Sequence, residues 1–427
     1  MPRVLIVGGS LGGLFAANVL HRAGWDVNVF ERAGAGLAGR GAGNVTHPEL
    51  IAALMRAGVD PNAALGVEVN GRIVLDVHGA TLCEIPHRQI LTSWGRLHRL
   101  LLDAMPPSAV HHGVTIQGID ERDRHAVVRG VGTRGAIEHE ADLVVAADGI
   151  WSTLRQQLLP AVQPEYAGYV AWRGLVDEND LSTETRALLF ERFGFCLPEG
   201  EQMLGYPVAG VGDSVMRGER RYNFVWYRPA DAKEALPDLL TDASGAVHVA
   251  NIPPQRIRPD VIAAMRRDAE TVLAPQFAEI VRRTAQPFLQ PIYDLLSPRL
   301  AYGRIALLGD AAFVARPHVG MGVTKAAEDA LALADALTAA HNDVPAALVA
   351  YEAARRPAGA AVVERARHLG AYMQAQVRSA EERAMAARYR TPHAVMFQTA
   401  LTVPAADALE AAAERSIAHT RRDARDG

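Results

Sequence analysis

The chain has 427 residues, enough for two domains, and its 49% hydrophobic and 22% charged content is ordinary for a soluble globular protein. A net charge of −4 gives no reason to expect nucleic acid or an anionic membrane as a partner, and no apolar run reaches the roughly 18 residues of a membrane span. The two cysteines, Cys83 and Cys196, have neither metal-binding nor redox spacing, and the first expected strand begins at Val4, which leaves no room for a signal peptide. We therefore expect a cytoplasmic protein without a metal site.

The first thirty residues carry a pattern that predicts a dinucleotide-binding unit. The apolar run 4–7 is typical of a buried parallel strand, a glycine-rich turn and a helical repeat follow, and residues 27–30 favour a second strand ending at Glu31. In this order the N–H groups that open the helix face a pyrophosphate, and the acid accepts hydrogen bonds from a ribose. Ser10 stands where a second glycine is usual, and its hydroxyl can donate to a phosphate. The alternative is a nucleotide-free α/β unit. The expected cofactor contacts are Gly8, Ser10, Leu11, Gly12, Gly13 and Glu31.

A glycine-rich loop follows between residues 34 and 43, and such loops let the backbone approach a ligand closely. We expect Arg32, Arg40 and Gly43 to contact the cofactor in this region. The alternative is a flexible surface connection. His47 stands just beyond the loop.

The remaining pattern alternates between strands and helices. Within the predicted strand 221–227, Tyr222, Phe224 and Trp226 share one face, and such a stripe is more often core than ligand site. The other predicted strands are 72–77, 81–85, 114–116, 126–131, 136–140, 143–147, 169–176, 202–208 and 304–308. The predicted helices are 48–57, 97–105 and 324–340, with a helical stretch at 260–285 around Pro275, further helices within 345–388 and a helical tail from 405.

Three stretches, 8–31, 148–155 and 303–330, together resemble the FAD-dependent aromatic hydroxylases, the family that includes para-hydroxybenzoate hydroxylase. Asp148-Gly149 resembles that family's Asp-Gly motif, which lies near both flavin and nicotinamide. Gly309-Asp310 resembles its Gly-Asp motif, whose aspartate binds the ribityl chain of the flavin. The resemblance places a further set on the loop and helix start beside the isoalloxazine ring: Pro317, Gly320, Gly322, Val323 and Thr324.

Several positions depart from the usual pattern of the family. Phe313 replaces the histidine that often follows the two alanines after Gly309-Asp310, here Ala311 and Ala312. Met321 and Thr324 stand where many members carry Gln and Asn. Trp94 falls where many members have an arginine. With the stretch 166–174, these choices are most similar to the pyridine-ring hydroxylases of the 2,6-dihydroxypyridine 3-hydroxylase type.

The resemblance implies an α/β fold with a discontinuous Rossmann-like FAD-binding domain, a substrate domain built on a mostly antiparallel sheet, and C-terminal helices. The FAD-binding domain is expected to comprise 1–70, 95–165 and 290–360. The substrate domain is expected to comprise 71–94 and 166–289, and the C-terminal helical region 361–427.

The implied activity is that of a FAD-dependent monooxygenase acting on an electron-rich hydroxylated aromatic or N-heteroaromatic ring, such as a hydroxypyridine. NADH or NADPH would reduce the flavin as a transient co-substrate, and O2 would then give a C4a-hydroperoxyflavin with an electrophilic distal oxygen. The small ring and O2 are the expected partners, with the protein a monomer or homodimer.

Hydroxylation is favoured by loss of a proton from a ring hydroxyl, whose unperturbed pKa is near 10. His318, directly after Pro317, is the first candidate for the base, and His47 and Tyr206 are the next. Arg173 is a candidate partner for the resulting oxyanion. Each of the four has the alternative of being an ordinary packed, solvated or ion-paired residue. Similarly, Lys325 either adds positive charge beside the flavin or is an exposed helix lysine.

Three other classes of protein share part of this pattern. A flavin halogenase should carry a Trp-x-Trp-x-Ile-Pro stretch and a catalytic lysine in the first half, but the only lysines are Lys233 and Lys325. A flavin-binding redox protein without ring hydroxylation shares all three motifs. Substrate-dependent NADH oxidation would distinguish a hydroxylase from such a protein. A plain NAD(P)-dependent dehydrogenase explains the glycine turn but not the two later motifs.

Overall fold

The computed structural model describes residues 1–34, 43–60, 63–122, 124–376 and 379–411. These residues form two large sheets, a small third sheet and a set of helices. The strands are β1 (Arg3–Val7), β2 (Asp26–Glu31), β3 (Gly43–Val45), β4 (Val67–Leu75), β5 (Thr81–Ser93), β6 (Val110–His112), β7 (Thr115–Glu121), β8 (Ala126–Gly132), β9 (Gly135–Ala141), β10 (Leu143–Ala146), β11 (Glu165–Asp177), β12 (Arg192–Cys196), β13 (Gln202–Val208), β14 (Arg221–Pro229), β15 (Phe288–Leu296), β16 (Ala301–Tyr302), β17 (Ile305–Leu307) and β18 (Phe313–Val314). The helices are α1 (Leu11–Arg22), α2 (Pro48–Arg56), α3 (Trp94–Asp103), α4 (Thr153–Leu158), α5 (Thr183–Leu189), α6 (Ala235–Leu239), α7 (Pro259–Val272), α8 (Pro275–Arg283), α9 (Gly322–Ala339), α10 (Val344–Gly370), α11 (Ala380–Tyr389) and α12 (Pro392–Gln398).

The first sheet has the order β16-β17-β10-β1-β2-β6. All its neighbouring pairs are parallel except β16 with β17 at the edge. The four residues of β10 are fully buried, which explains why its sequence, Leu-Val-Val-Ala, is apolar without alternation. Helices α1 and α9 pack against each other, and both contribute to the core that this sheet shares with the three-stranded sheet β7-β8-β9. The expected strand, turn, helix and strand at the start of the chain are confirmed.

The second sheet has the order β18-β15-β11-β14-β13-β12-β4-β5-β3. Its pairs are antiparallel, except that β12 runs parallel to β4. Tyr222, Phe224 and Trp226 are fully buried in one core with α7 and α8, so the aromatic stripe of β14 is core. The predicted combination of a Rossmann-like sheet, a mostly antiparallel sheet and C-terminal helices is confirmed.

Several predicted elements have different bounds in the structure. The β4–β5 hairpin is longer than the apolar pattern indicated: β4 begins at Val67 and β5 continues to Ser93. Backbone pairing sustains it through polar residues whose side chains are largely exposed, with register shifts marking bulges. The helix predicted at 260–285 is two helices, because Pro275 cannot continue a helix and instead begins α8.

The C-terminal helices close one side of the molecule. The 27-residue α10 packs on α9, and α12 contacts β4 and β5. Residues 403–411 are helical, as expected for the tail, whose last residues, 412–427, lie outside the described chain. Within the described ranges, no helix has the length and apolar character required to cross a membrane.

Candidate active site

A cavity of about 390 Å³ lies where the two large sheets meet. The parallel sheet contributes residues that follow the carboxyl ends of β1, β10 and β17, which is where open α/β sheets bind ligands. The antiparallel sheet contributes side chains from β11, β13, β14 and β15. The volume falls in the range of sites for small molecules. One end of the cavity therefore has the geometry of a dinucleotide site, and the other end faces a sheet surface.

The turn after β1 requires glycine at two positions. Gly8 has φ of +108°, and a Cβ on it would overlap the Ala147 carbonyl oxygen. A Cβ on Gly13 would overlap the Gly8 carbonyl oxygen. Ser10 is the N-cap of α1 but its side chain caps no backbone N–H, so its exposed hydroxyl is available to a ligand. Leu11 and Gly12 line the cavity beside it. This backbone cradle fits a pyrophosphate at the start of α1.

Glu31 is buried and holds the turn through two backbone hydrogen bonds. Its carboxylate accepts from the Gly9 N–H at 2.8 Å and from the Ala33 N–H at 2.7 Å. Each carboxylate oxygen retains a further lone pair, which suits a ribose hydroxyl. Arg32 is exposed, and Arg40 lies outside the described residues.

Gly43 marks the point where the segment after the glycine-rich loop enters the second sheet. Its N–H donates to Asn223 Oδ1 at 2.9 Å, and it lines the cavity. A Cβ at this position would overlap the ring of Tyr206. The close approach of backbone to ring therefore requires glycine here.

Asp148 and Gly149 have different surroundings. The Asp148 carboxylate accepts from the Ser152 hydroxyl at 2.5 Å and from the Thr153 N–H at 2.8 Å, so it caps the start of α4. Burial raises the pKa of Asp148 above its ordinary value, against the opposing effect of these hydrogen bonds. Gly149, with φ of +84°, lines the cavity. The motif thus presents its glycine to the cavity and uses its aspartate to fix the local backbone.

Asp310 is about half exposed and lines the cavity, so it is available to a ligand hydroxyl. Lys325 lies behind it, with Nζ 3.7 Å from Asp310 Oδ1 and donating to the Phe313 carbonyl at 2.5 Å. Lys325 is fully buried, so the alternative of an exposed helix lysine is wrong. Helix α9 turns this side chain toward residues 310–313 and away from the cavity. In that position the ammonium group can orient the Asp310 carboxylate.

The loop before α9 forms one wall of the cavity. Pro317, Gly320, Gly322 and Val323 line it, and Gly320 has φ of +68°. Because α9 begins at Gly322, its first N–H groups have no intrahelical partner and form the positive end of the helix dipole at this wall.

Thr324 is fully buried behind this wall, and its hydroxyl is hydrogen-bonded at 2.9 Å to Nδ1 of His47. His47 is also buried, and its Nε2 makes no regular hydrogen bond among the described residues, although the Ala400 backbone lies near. Burial lowers the pKa of His47, and nearby Glu49 opposes this effect. The structure places both residues next to the cavity but outside its lining.

The expectation that the His318 side chain reaches a ring in the cavity is wrong. The imidazole is 1% exposed, donates from Nδ1 to Gln202 Oε1 at 3.1 Å, and accepts at Nε2 from the Tyr169 hydroxyl at 2.8 Å. Burial, followed by the nearby Arg316 charge, lowers its pKa to about 3. The chain turns at Pro317, so the backbone of the loop faces the cavity while His318 packs behind it.

Arg173 and Tyr206 do line the cavity, on neighbouring parts of the antiparallel sheet. Arg173 donates to Gln290 Oε1 at 2.7 Å, and its Nε is buried without a partner among the described residues. The Tyr206 hydroxyl makes no hydrogen bond to a described residue. Burial raises the pKa of Tyr206, with Arg173 opposing, so the phenol is a neutral donor at neutral pH. Both residues are therefore available to a polar ring substituent.

Sequence reasoning missed Tyr227 and Gln290, which also line this end of the cavity. Side chains alternate along a strand, and the apolar stripe of β14 leaves Val225 and Tyr227 on the opposite face, toward the cavity. The period of two was therefore the signal that could have identified Tyr227. Burial raises the pKa of Tyr227 as well, so it is a second neutral donor.

A family model described as "FAD binding domain-like" matches residues 166–294. The chain is 29% identical over 373 residues to 2,6-dihydroxypyridine 3-monooxygenase from Paenarthrobacter nicotinovorans, covering 87% of this chain and 91% of the relative. It is 31% identical over 382 residues to 3-amino-4-hydroxybenzoate 2-monooxygenase from Streptomyces cremeus, covering 86% of each. The solved structure of 2,6-dihydroxypyridine-3-hydroxylase from Arthrobacter nicotinovorans superposes with a TM-score of 0.80 at 29% identity, covering 87% of this chain and 93% of that one.

These similarities to the two relatives and to the solved structure cover 86–87% of this chain. They confirm the expected resemblance to aromatic hydroxylases, including its pyridine-ring members, and they confirm FAD as the cofactor. The chain belongs to the FAD-dependent aromatic hydroxylases, monooxygenases that use NAD(P)H and O2 on aromatic and heteroaromatic rings.

Proposed function

We propose that the protein hydroxylates a small, electron-rich ring, of the hydroxypyridine or hydroxylated benzene type, that binds as an oxyanion against Arg173. The observation that carries this proposal is the set of hydrogen-bond donors without a carboxylate partner among the described residues, at the end of the cavity remote from the glycine turn. Arg173, Tyr206 and Tyr227 all lie there, and no histidine or carboxylate lines that end in the described chain. One fixed cation and two neutral donors suit a ring that carries more than one oxygen or nitrogen acceptor.

The residues of the parallel sheet would hold the cofactor. Ser10 and the first N–H groups of α1 would bind the pyrophosphate, Glu31 a ribose, and Asp310 the ribityl hydroxyls. When bound, FAD supplies electron transfer from NAD(P)H and the activation of O2. The helix start at Gly322 would stabilise negative charge on the facing edge of the ring system.

The residues of the antiparallel sheet would hold the substrate. The Arg173 guanidinium stabilises the ring oxyanion and so lowers the pKa of the ring hydroxyl, whose proton is lost to solvent as the substrate binds. Tyr206 and Tyr227 donate hydrogen bonds to other ring acceptors and fix its orientation. The surrounding apolar side chains, among them Phe193 and Leu204, exclude water from the cavity.

We also propose the domain division expected from the sequence, in which residues 1–70, 95–165 and 290–360 bind FAD and 71–94 and 166–289 bind substrate. Most strands of each large sheet fall on one side of this division. However, β4 and β15 cross its boundaries, and β3 and β18 pair with the antiparallel sheet although they lie within the FAD-binding ranges. The chain offers a single glycine-turn unit, so NADH or NADPH is proposed to bind only transiently. A cytoplasmic location and a monomer or homodimer complete the proposal, which fractionation and light scattering would check.

The test is a screen of hydroxypyridines, hydroxylated nicotinates, aminohydroxybenzoates and phenols with the FAD-loaded protein. NADH and NADPH consumption, product and hydrogen peroxide are measured for each ring. We expect at least one ring with an acidic hydroxyl to stimulate consumption and to yield hydroxylated product. Arg173→Met should raise the KM for that ring, while Arg217→Met, an exposed arginine, should not. Failure of every ring to give product would overturn the proposal.

A further inference from the structure

Arg72 is a buried cation without a carboxylate partner among the described residues. It lies on β4, is fully buried, and its guanidinium packs over the rings of Phe193 at 5.0 Å and Phe195 at 5.3 Å. Burial lowers its pKa to about 9. Burying a charged group is costly unless strong hydrogen-bond acceptors compensate for the lost water. The acceptors of Arg72 therefore indicate which part of the structure it fixes in place.

Those acceptors are two carbonyl oxygens at the end of α12. Arg72 Nη1 donates to the Met396 carbonyl and Nη2 to the Thr399 carbonyl, each at 2.6 Å. The last carbonyls of a helix have no intrahelical partner and carry the negative end of its dipole, so they suit a guanidinium. We call residues 391–402 the C-terminal strap.

The strap reaches the active-site cavity directly after this contact. Thr399 and Ala400 line the cavity, and the Ala400 N–H donates to the His318 carbonyl at 2.7 Å. Ala400 has φ of +58°, which is unfavourable for a residue with a Cβ and indicates that its surroundings hold it there. A Cβ on Gly320 would stand 2.9 Å from the Ala400 Cα. The strap therefore touches the same loop that lines the cavity before α9.

We propose that Arg72 is a positioning residue that locks the C-terminal strap in place as a wall of the active-site cavity. Arg72 does not itself line the cavity, but it packs on Phe193 and donates to the Thr399 carbonyl, and both of these residues do line it. It acts through the carbonyls of Met396 and Thr399 on Ala400 and the loop at Gly320. Loss of its two donors leaves those carbonyls unpaired and frees the strap, which admits water to the cavity. The effect on coupling rests on the proposed hydroxylation, whereas the effect on strap mobility does not.

The first test is hydrogen exchange of the strap, measured on the FAD-loaded protein. Arg72→Met introduces an apolar side chain of similar length and removes the hydrogen-bond donors, whereas Arg72→Lys keeps the positive charge. Arg88→Met is the matched control, because Arg88 is an exposed arginine on the paired strand β5. We expect exchange of peptides covering 392–402 to rise about tenfold in Arg72→Met, less in Arg72→Lys, and not at all in Arg88→Met. Unchanged exchange in Arg72→Met would overturn the proposal.

The second test measures product formed per NADH, together with the rate of flavin reduction. Arg72→Met should divert consumption toward hydrogen peroxide while leaving the reduction rate unchanged, and Arg72→Lys should restore part of the coupling. If Arg72→Met does not fold, Arg72→Lys in the full chain is compared with wild type, because lysine keeps the charge but lacks the forked pair of donors that meets both carbonyls. It should show partial uncoupling with FAD retained, and wild-type coupling together with wild-type exchange in Arg72→Lys would overturn the proposal. A protein that hydroxylates no ring defeats the proposed function alone, because the exchange test still applies.

Discussion

The Tyr169 hydroxyl lies 2.8 Å from Nε2 of His318, in a layer directly behind the cavity wall. Because Gln202 Oε1 occupies the other ring nitrogen, the imidazole is held in one neutral tautomer with no free position. The residue that follows Pro317 is therefore part of the support of the active site rather than a group in contact with substrate.

His318 should make stability, rather than catalysis, depend on pH. The folded protein keeps the ring neutral with a pKa of about 3, while the unfolded chain takes up a proton near pH 6.5. The resulting stability is present above pH 6.5 and is lost as pH falls, by about 2 kcal/mol between pH 7 and pH 5. Urea unfolding of wild type and His318→Gln should show a difference that shrinks over this range, and the pH profile of product formation should be unchanged. A shifted activity profile would contradict this assignment.

Asp310→Ala should weaken FAD binding by about 1–3 kcal/mol, because the ribityl hydroxyls lose their acceptors. Lys325→Met should weaken it less, since Lys325 acts only through Asp310 at 3.7 Å. Titration of the apoprotein with FAD, followed by flavin fluorescence, measures both. The double variant should bind FAD no more weakly than Asp310→Ala alone; fully additive losses would show that Lys325 acts independently.

Gly13→Ala should abolish FAD binding and lower the melting temperature, because the added methyl group overlaps the Gly8 carbonyl oxygen. Gly132→Ala is the matched control, since a Cβ there meets only ordinary contacts, the nearest at 3.6 Å. The flavin absorbance of the purified proteins and their melting curves give the comparison. Retention of FAD by Gly13→Ala would contradict the cradle described for the turn.

Tyr206→Phe and Tyr227→Phe should each raise the KM for the ring substrate by about 5- to 10-fold, the value of one hydrogen bond of about 1 kcal/mol. Neither change should alter FAD content, because both hydroxyls lie on the antiparallel sheet. Tyr302→Phe, on β16 and outside the cavity lining, is the control. Steady-state kinetics with product detection measures the KM of each variant. An unchanged KM in both variants would show that neither tyrosine hydroxyl binds the substrate.

The parallel sheet could be predicted well because its signals are local. The apolar strand at Val4 and the turn at Gly8 each follow from neighbouring residues, and the structure has them as expected. The site was harder to predict because side-chain direction is set by long-range pairing. His318 and Tyr227 illustrate this. Adjacency to Pro317 indicated His318, whose side chain packs behind the cavity wall, whereas the face of β14 opposite the core stripe places Tyr227 in the cavity lining.

Lys325 and Arg72 show a second limit of sequence reasoning. The pattern around Lys325 also fits an exposed helix lysine, and Arg72 is only the first residue of a predicted strand, yet both are fully buried with backbone carbonyls as acceptors. The acceptor of Lys325 lies 12 residues away and those of Arg72 more than 320 residues away. No local pattern predicts such partners.

The interleaving of the two large sheets has a consequence for folding. The nine-stranded sheet takes strands from Gly43 to Val314, and the six-stranded sheet takes strands from Arg3 to Leu307, so the chain passes repeatedly between them. Neither sheet can be completed until residues beyond 300 have been synthesised, and the many long-range pairings make folding slow. No contiguous fragment contains either sheet alone, so we expect the two sheets to unfold together. We also expect a nascent chain to expose unpaired strand edges until its last third emerges.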